Sequence, residues 1–174
     1  MRQRGVRGVE LRPVGLSAAV AMVGRWHRHL PRCAGGLAAV EVVGSAGWPV
    51  GVAIVGRPSS RVLAGRGWVE VVRVALAPLG GGPLDCPWGA ASACYQWAEA
   101  WAWWGGRPVL TYTLGEESGG SLRAAGWREA GQTRGGQWAC PSRARTDRNE
   151  SLSAPKRRWA PGWALDMAQL VSAG

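Results

Sequence analysis

"EESGGSLRAAGW", residues Glu116–Trp127, carries more of the fold than any other stretch of this 174-residue chain. Two acids lead, the small residues Ser118, Gly119 and Gly120 follow, and Ser-Leu-Arg-Ala-Ala runs into a closing Gly126-Trp127. Glycine in a first helical turn costs about 1 kcal/mol relative to alanine, whereas a glycine stop is ordinary. The spacing therefore predicts one short helix whose start is kept small. Either a strained strand-to-helix turn needs glycine there, or something lies against it.

Outward from that helix the chain alternates strands and helices. "RPVLTYTL" precedes it as a strand, and "REAGQ" with "GQWAC" follows as an antiparallel pair. Upstream, a long helix is predicted from about Trp88 to Trp104, ended by Gly105 and Gly106, with Cys94, Trp97, Trp101 and Trp104 at helical spacing. That stripe reads as core, with a stacking platform for bases as the alternative. "WVEVVRVAL" (68–76) is the strongest strand. "LAAVEVV" and "PVGVAIVG" form a hairpin around "GSAGW", and "VELRPVG" (9–15) is a first strand. Ser17 caps a helix from Ala18 to about His29, ended by Pro31. "RPSSRVLAGRG" and "APLGGGPLDCP" read as loops. After Pro141 the chain turns polar and basic, so the expected division is a globular domain over 1–141 and a basic arm or tail over 142–174, with "WALDMAQLV" as a terminal helix. The order makes a mixed α/β layer with a helix crossing between the fourth and fifth strands.

The net charge is +10, and Lys156 is the only lysine. A positive excess ordinarily points to an anionic partner. Here Ile54 is the only isoleucine, Asn149 the only asparagine, and phenylalanine is absent, so a GC-rich genome accounts for much of the arginine. Local clusters carry more weight than the total. Cys33, Cys86, Cys94 and Cys140 lie far apart, which argues against a disulfide framework. "HRHLPRC" offers His27, His29 and Cys33 but not zinc spacing, and no metal is expected. No apolar run is long enough to span a membrane, and the N-terminus is a poor signal peptide, so a cytoplasmic protein is expected.

The element order and "SGGSLRAAGW" resemble the GNAT (Gcn5-related N-acetyltransferase) superfamily, whose late motif runs Asn-x-x-Ala/Ser-x-x-x-Leu/Tyr-x-x-x-Gly-Phe. Ser118, Leu122 and Gly126-Trp127 keep that spacing; Gly115 replaces the Asn, and Leu122 stands where a catalytic tyrosine often does. "WHRHLPR", "PVGVAIVGRPSSR", "EVVRV", "TYTLGEESGGSLRAAGW", "GGQW" and "PSRARTD…KRRW" together resemble small GNAT-like proteins of phages and prophages. The resemblance implies a single GNAT-like domain: a mixed, mostly antiparallel sheet with splayed central strands and flanking helices. It also implies acetyl-CoA as cofactor, held by Val74, Leu76, Gly80, Gly81, Gly82, Ser118, Gly119 and Leu122. The family's pyrophosphate loop fails to match over Ala77–Pro87. Gly80–Gly82 form an anion nest there, or Asp85 is simply an N-cap in a glycine-rich turn.

Acyl transfer to an amine needs a base and groups that polarise the thioester carbonyl. Glu70 is placed as the base, between Trp68 and Val72 on one face of its strand; the alternative is a pairing with Arg73 or Arg57. His27 and His29 are either proton carriers or a helix C-terminal cap. Tyr112, on a strand with Thr111 and Thr113, is a possible acid or a core residue. The cluster Arg143, Arg145, Arg148, Lys156, Arg157 and Arg158 tracks nucleic acid, grips cofactor phosphates, or is solvated. Three functions follow: an acetyltransferase acting on an amine, a phage enzyme modifying nucleic-acid bases, or an inactive binding protein on the same fold.

Overall fold

The computed structural model describes residues 4–5, 9–27, 33, 35–78, 86–135 and 154–172. Eight strands form one sheet: β1 (Arg4–Gly5), β2 (Val9–Pro13), β3 (Ala38–Val43), β4 (Pro49–Gly56), β5 (Val69–Leu76), β6 (Val109–Leu114), β7 (Arg128–Thr133) and β8 (Lys156–Ala160). Their order is β1-β2-β3-β4-β5-β6-β8-β7. Every neighbouring pair is antiparallel except β5 and β6, which are parallel. The helices are α1 (Leu16–Trp26), α2 (Arg61–Gly65), α3 (Ala90–Trp104), α4 (Gly120–Ala124) and α5 (Gly162–Ser172). This is the expected α/β class, with α3 making the crossover that a parallel pair requires.

The core is a valine sheet covered on both faces. On β4, Val52 and Ile54 meet Ala19 and Val23 of α1, while Ala53 and Val55 face α3; the alternation is the strand's period of two. Small residues line the underside of α3: Ala90, Ala93, Cys94, Ala98 and Ala102 are all buried. An alanine stripe lets the helix axis come close to the sheet, and the indoles are displaced to its flanks. The expected stripe holds in part: Cys94 is buried and Trp97 and Trp101 pack, partly buried, against the core, but Trp104 is exposed.

Several boundaries also differ. α1 begins at Leu16 behind Gly15 with no side-chain cap, and His27, extended and donating to the Val23 carbonyl, ends it short of His29. "RPSSRVLAGRG" contains α2, whose first turn is capped by Ser60 Oγ accepting from the Leu63 N–H. α3 starts two residues late, with Gly89 in the left-handed region (φ 81°) at the N-cap assigned to Asp85. The largest correction concerns the tail. β8 lies between β6 and β7 and pairs with both, so Lys156–Ala160 is interior sheet and not an arm. The partner of β7 is thus β8; residues 136–140, expected to fill that place, lie outside the described residues, as does 142–153. The terminal helix over "WALDMAQLV" is present as α5.

One carboxylate ties the late elements together. Glu99 on α3 accepts from the indole N–H of Trp127 at 3.0 Å and of Trp163 at 2.9 Å, joining α3 to the end of α4 and to α5. None of the described helices is long and apolar enough to cross a membrane.

Candidate active site

β5 carries one residue more than its partner allows. Ile54 pairs with Arg73 and Val55 with Val71, so Val72 is a β-bulge. A bulge re-aims the side chains beyond it and bends the strand. Pairing with β6 lasts only from Val69↔Val109 to Glu70↔Leu110, and past that point the two strands part. The expected splay of central strands is present and has this cause. Between them opens a cleft of about 900 Å³.

Register assigns the cleft's residues to two faces, because directly paired residues share a face. Glu70 pairs with Leu110, two residues from Tyr112; Tyr112 pairs with Arg158, and Leu114 with Lys156. These stand on the α1 side, joined by Arg73, whose partner Ile54 packs on α1. On the α3 side stand Thr111 and Thr113 with Arg157 and Trp159. Thr111 Oγ1 donates to the Val71 carbonyl at 2.9 Å, and the Trp159 indole donates to Thr113 Oγ1 at 2.9 Å.

Glu70 is held through one oxygen. Oε2 accepts from the Ser59 N–H at 2.9 Å and from Ser59 Oγ at 3.4 Å. Among the described residues Oε1 accepts no hydrogen bond, and Glu70 lines the cleft. The expected pairing with Arg73 or Arg57 is replaced by this serine clamp. Burial pushes the Glu70 carboxyl above the usual carboxylate range; the Ser59 hydrogen bonds and the charges of Arg73 and Lys156 oppose the rise without cancelling it. Tyr112 lines the same wall, and its hydroxyl is raised by burial and by Glu70, with Arg158 opposing.

The other predicted residues divide cleanly. His27 lines the cleft from the end of α1, and Val74, Ser118, Gly119 and Leu122 line it as well. Leu76 does not: it packs in the core against Val50 and Ala53, over Gly51. His29, Gly80, Gly81 and Gly82 lie outside the described residues, as do Arg143, Arg145 and Arg148. Arg157 pairs with Glu129 at 3.7 Å and lies over Trp159, and Arg158 Nη2 donates to the Ala130 carbonyl at 2.7 Å. Both are thus engaged within the sheet. Sequence reasoning missed Ser59, Arg73 as a cleft residue, Lys156 in this role, and Trp159.

The small start of α4 has two explanations, one for each glycine. Gly119 sits at φ 67°, and a Cβ there would fall into the Trp159 indole. What lies against it is the protein's own ring, with Arg123 stacked at 5.2 Å from that ring's centroid. Gly120 is different: a Cβ would meet only Ser118 Oγ at 3.5 Å, and the space beyond is cleft. An extended ligand arm entering here would find Ser118, Gly120 and the apolar Val71, Val74 and Leu122 in the lining. It would also find a β5 edge with no strand partner beyond Glu70, a form of surface that takes extended groups by backbone hydrogen bonds. Among the described residues, no three His, Cys, Asp or Glu gather as a metal site.

No family model and no curated protein matches the sequence. Solved structures do match. Nourseothricin acetyltransferase superposes with a TM-score of 0.55 at 13% identity, covering 88% of this chain and 97% of that one. A GNAT-family acetyltransferase from Bacillus anthracis gives 0.57 at 12%, covering 92% and 97%. A chain of the NatC complex, solved with a Gag peptide and CoA, gives 0.55 at 10%, covering 88% and 97%. The chain therefore has the GNAT acetyltransferase fold, and its chemistry is argued from the cleft.

Proposed function

We propose that this chain is an acyltransferase that moves an acetyl group from acetyl-CoA to an amine, the amine attacking the thioester directly. The observation that carries the reading is the split between β5 and β6, which sets a half-buried carboxylate clamped through one oxygen on one wall and an open, small-residue channel on the other. Acetyl-CoA, when bound, supplies an activated acyl carbon; Ser118, Gly120, Val74 and Leu122 are the described residues that would hold its arm.

The chain's own residues supply the rest. An amine is nucleophilic only when neutral, and Glu70 Oε1 is the acceptor for the proton it must shed. A carboxyl raised by burial is the stronger base for that task. Ser59 fixes the carboxylate's orientation, so the free oxygen points one way at no entropic cost during reaction. As the N–C bond forms and the C–S bond breaks, Tyr112, in the lining of the same cleft, is the hydroxyl that would return a proton to the departing sulfur. Unpaired N–H groups of the β5 edge are donors for a carbonyl oxygen that gains negative charge.

The nucleic-acid reading draws on the basic segment after Pro141. Of its arginines, the two described are committed to Glu129, Trp159 and the Ala130 carbonyl, which gives the acyltransferase reading the better support.

Calorimetry with acetyl-CoA, paired with a thiol-release assay over a panel of amines, tests the proposal. Saturable heat is expected, with thiol release that requires an amine and is lost in Glu70→Gln while the heat persists. No heat with acetyl-CoA overturns it.

A further inference from the structure

The acceptor wall of the cleft carries more cations than the transfer chemistry needs. Arg73, Arg134 and Lys156 line it, against the carboxylates Glu70 and Glu117. Glu117 is already used: it accepts from the Leu114 N–H at 2.8 Å and stands toward Tyr95, whose hydroxyl its charge helps to raise. That leaves Glu70 as the carboxylate facing Arg73 and Lys156.

Lys156 is the informative residue. Its backbone is fixed by β8, where its N–H meets Thr133 Oγ1 and its Cα pairs with Leu114 on the wall of Tyr112. The side chain is half-buried. Among the described residues its ammonium makes no hydrogen bond and no ion pair. Taking an ammonium partly out of water without a hydrogen bond or a close ion pair is unfavourable. The chain's other basic side chains, histidines apart, are arginines, yet the compact, flexible point charge of a lysine stands here. Lys156, Arg73 and Arg134 line the same cleft as Glu70, and like charges oppose the approach of a plain alkylammonium to it.

We propose that the acceptor amine carries an anionic group, a carboxylate or a phosphate, which Lys156 binds, with Arg73 and Arg134 beside it, while the amine faces Glu70. This inference rests on the acyltransferase reading. It accounts for a half-buried lysine ammonium that makes no hydrogen bond and no ion pair among the described residues, and for an amine held near a base rather than repelled from the cleft. The acceptor is a small molecule: Arg73 and Lys156 are partly buried in the lining of the cleft, and the described sheet arginines that could track a phosphate backbone are already engaged.

Two matched pairs of amines test it: β-alanine against β-alaninamide, and O-phosphoethanolamine against ethanolamine. Each is measured with acetyl-CoA on the plateau of the pH profile, so that loss of Lys156's influence on Glu70 does not intrude. The anionic member of at least one pair is expected to show a kcat/KM about tenfold higher or more, and the pair that discriminates separates carboxylate from phosphate. Lys156→Gln should erase the preference by raising KM for the anionic member, leaving kcat and the neutral member within about twofold; Lys156→Arg should retain it. Equal or better turnover of the neutral members, a KM increase shared by both members, or acylation of a single-stranded oligonucleotide in preference to these amines overturns the inference. Each of those results leaves acetyl-CoA binding intact, whereas absence of that binding overturns the underlying reading instead.

Discussion

On the α1 side of the split the chain gathers titratable groups, Glu70, Tyr112, Arg73 and Lys156, and holds the first of them by a single serine. On the α3 side it gathers packing: Thr111 and Thr113 are tied by hydrogen bonds, Trp159 is buried, and Arg123 and Arg157 both lie over its ring. β6 and β8 supply both walls at alternate residues, and β5 adds Glu70 and Arg73 to the first. One bulge at Val72 separates the strands enough for the walls to serve different purposes. Losses on the first wall should therefore appear in turnover or acceptor KM, and losses on the second in stability or cofactor binding.

The sharpest break between the walls is Glu70→Gln. Removing the base should lower kcat/KM for amine acceptors by about 10²–10⁴, with acetyl-CoA affinity and Tm little changed. A variant equally impaired in cofactor binding would show that the two walls are not independent.

Gly119 and Gly120 test the second wall, one residue apart. Gly119→Ala forces an L side chain into left-handed backbone, at about 1–2 kcal/mol, and drives a methyl into Trp159, at about 1–3 kcal/mol more. Tm should fall by about 4–20 °C. Gly120→Ala meets open space and should hold or raise Tm, by up to about 1 kcal/mol in stability. Gly120→Trp should fold and lose acetyl-CoA heat. If Gly119→Ala were neutral, the contact with Trp159 would not be what keeps that residue small.

The same stretch shows how far the sequence is readable. Glu116–Trp127 announces its own structure because its determinants are local. Gly119 and Gly126 occupy positive φ at 67° and 86°, Leu122 and Trp127 fall on the buried side, and the family spacing survives. The valine strands announce themselves in the same way. Glu70 is legible as a buried acid on such a strand, but its Ser59 clamp joins residues from separate elements across a loop. Lys156–Ala160 is not legible at all. "KRRWA" lacks an apolar alternation, since one arginine is spent on Trp159 and Glu129 and the other on a backbone carbonyl. Its strand identity comes from pairing with β6 and β7, far away in sequence. The same nonlocal pairing brings Trp159 against Gly119 and Lys156 into the cleft.

Glu99 measures how firmly the second wall is anchored. It serves two indoles at once, and glutamine offers a single acceptor oxygen, so Glu99→Gln leaves one buried N–H without its partner. The loss should be about 1–3 kcal/mol, visible in denaturant unfolding by tryptophan fluorescence. Acyl transfer at saturating substrates should remain within about twofold. A loss of rate without loss of stability would move Glu99 from scaffold to chemistry.

The smallest effect is a displacement of the pH profile. Glu70 acts as a base only when ionised, so activity should fall as pH drops through its raised pKa. Desolvation is the largest cause of that rise, and the hydrogen bonds from Ser59 oppose it by favouring the carboxylate. Ser59→Ala removes the hydroxyl but keeps the backbone N–H, so the opposing effect weakens without vanishing. The acid limb of kcat/KM should move to higher pH, with the plateau rate little changed. Stability shifts in the same sense. A carboxyl whose folded pKa lies above its unfolded one binds more protons in the native state, so stability declines as pH rises between the two values. Ser59→Ala widens that interval upward. An acid limb that stays in place would mean that the carboxylate is not the titrating base, and His27, on the same cleft, would be the next residue to substitute.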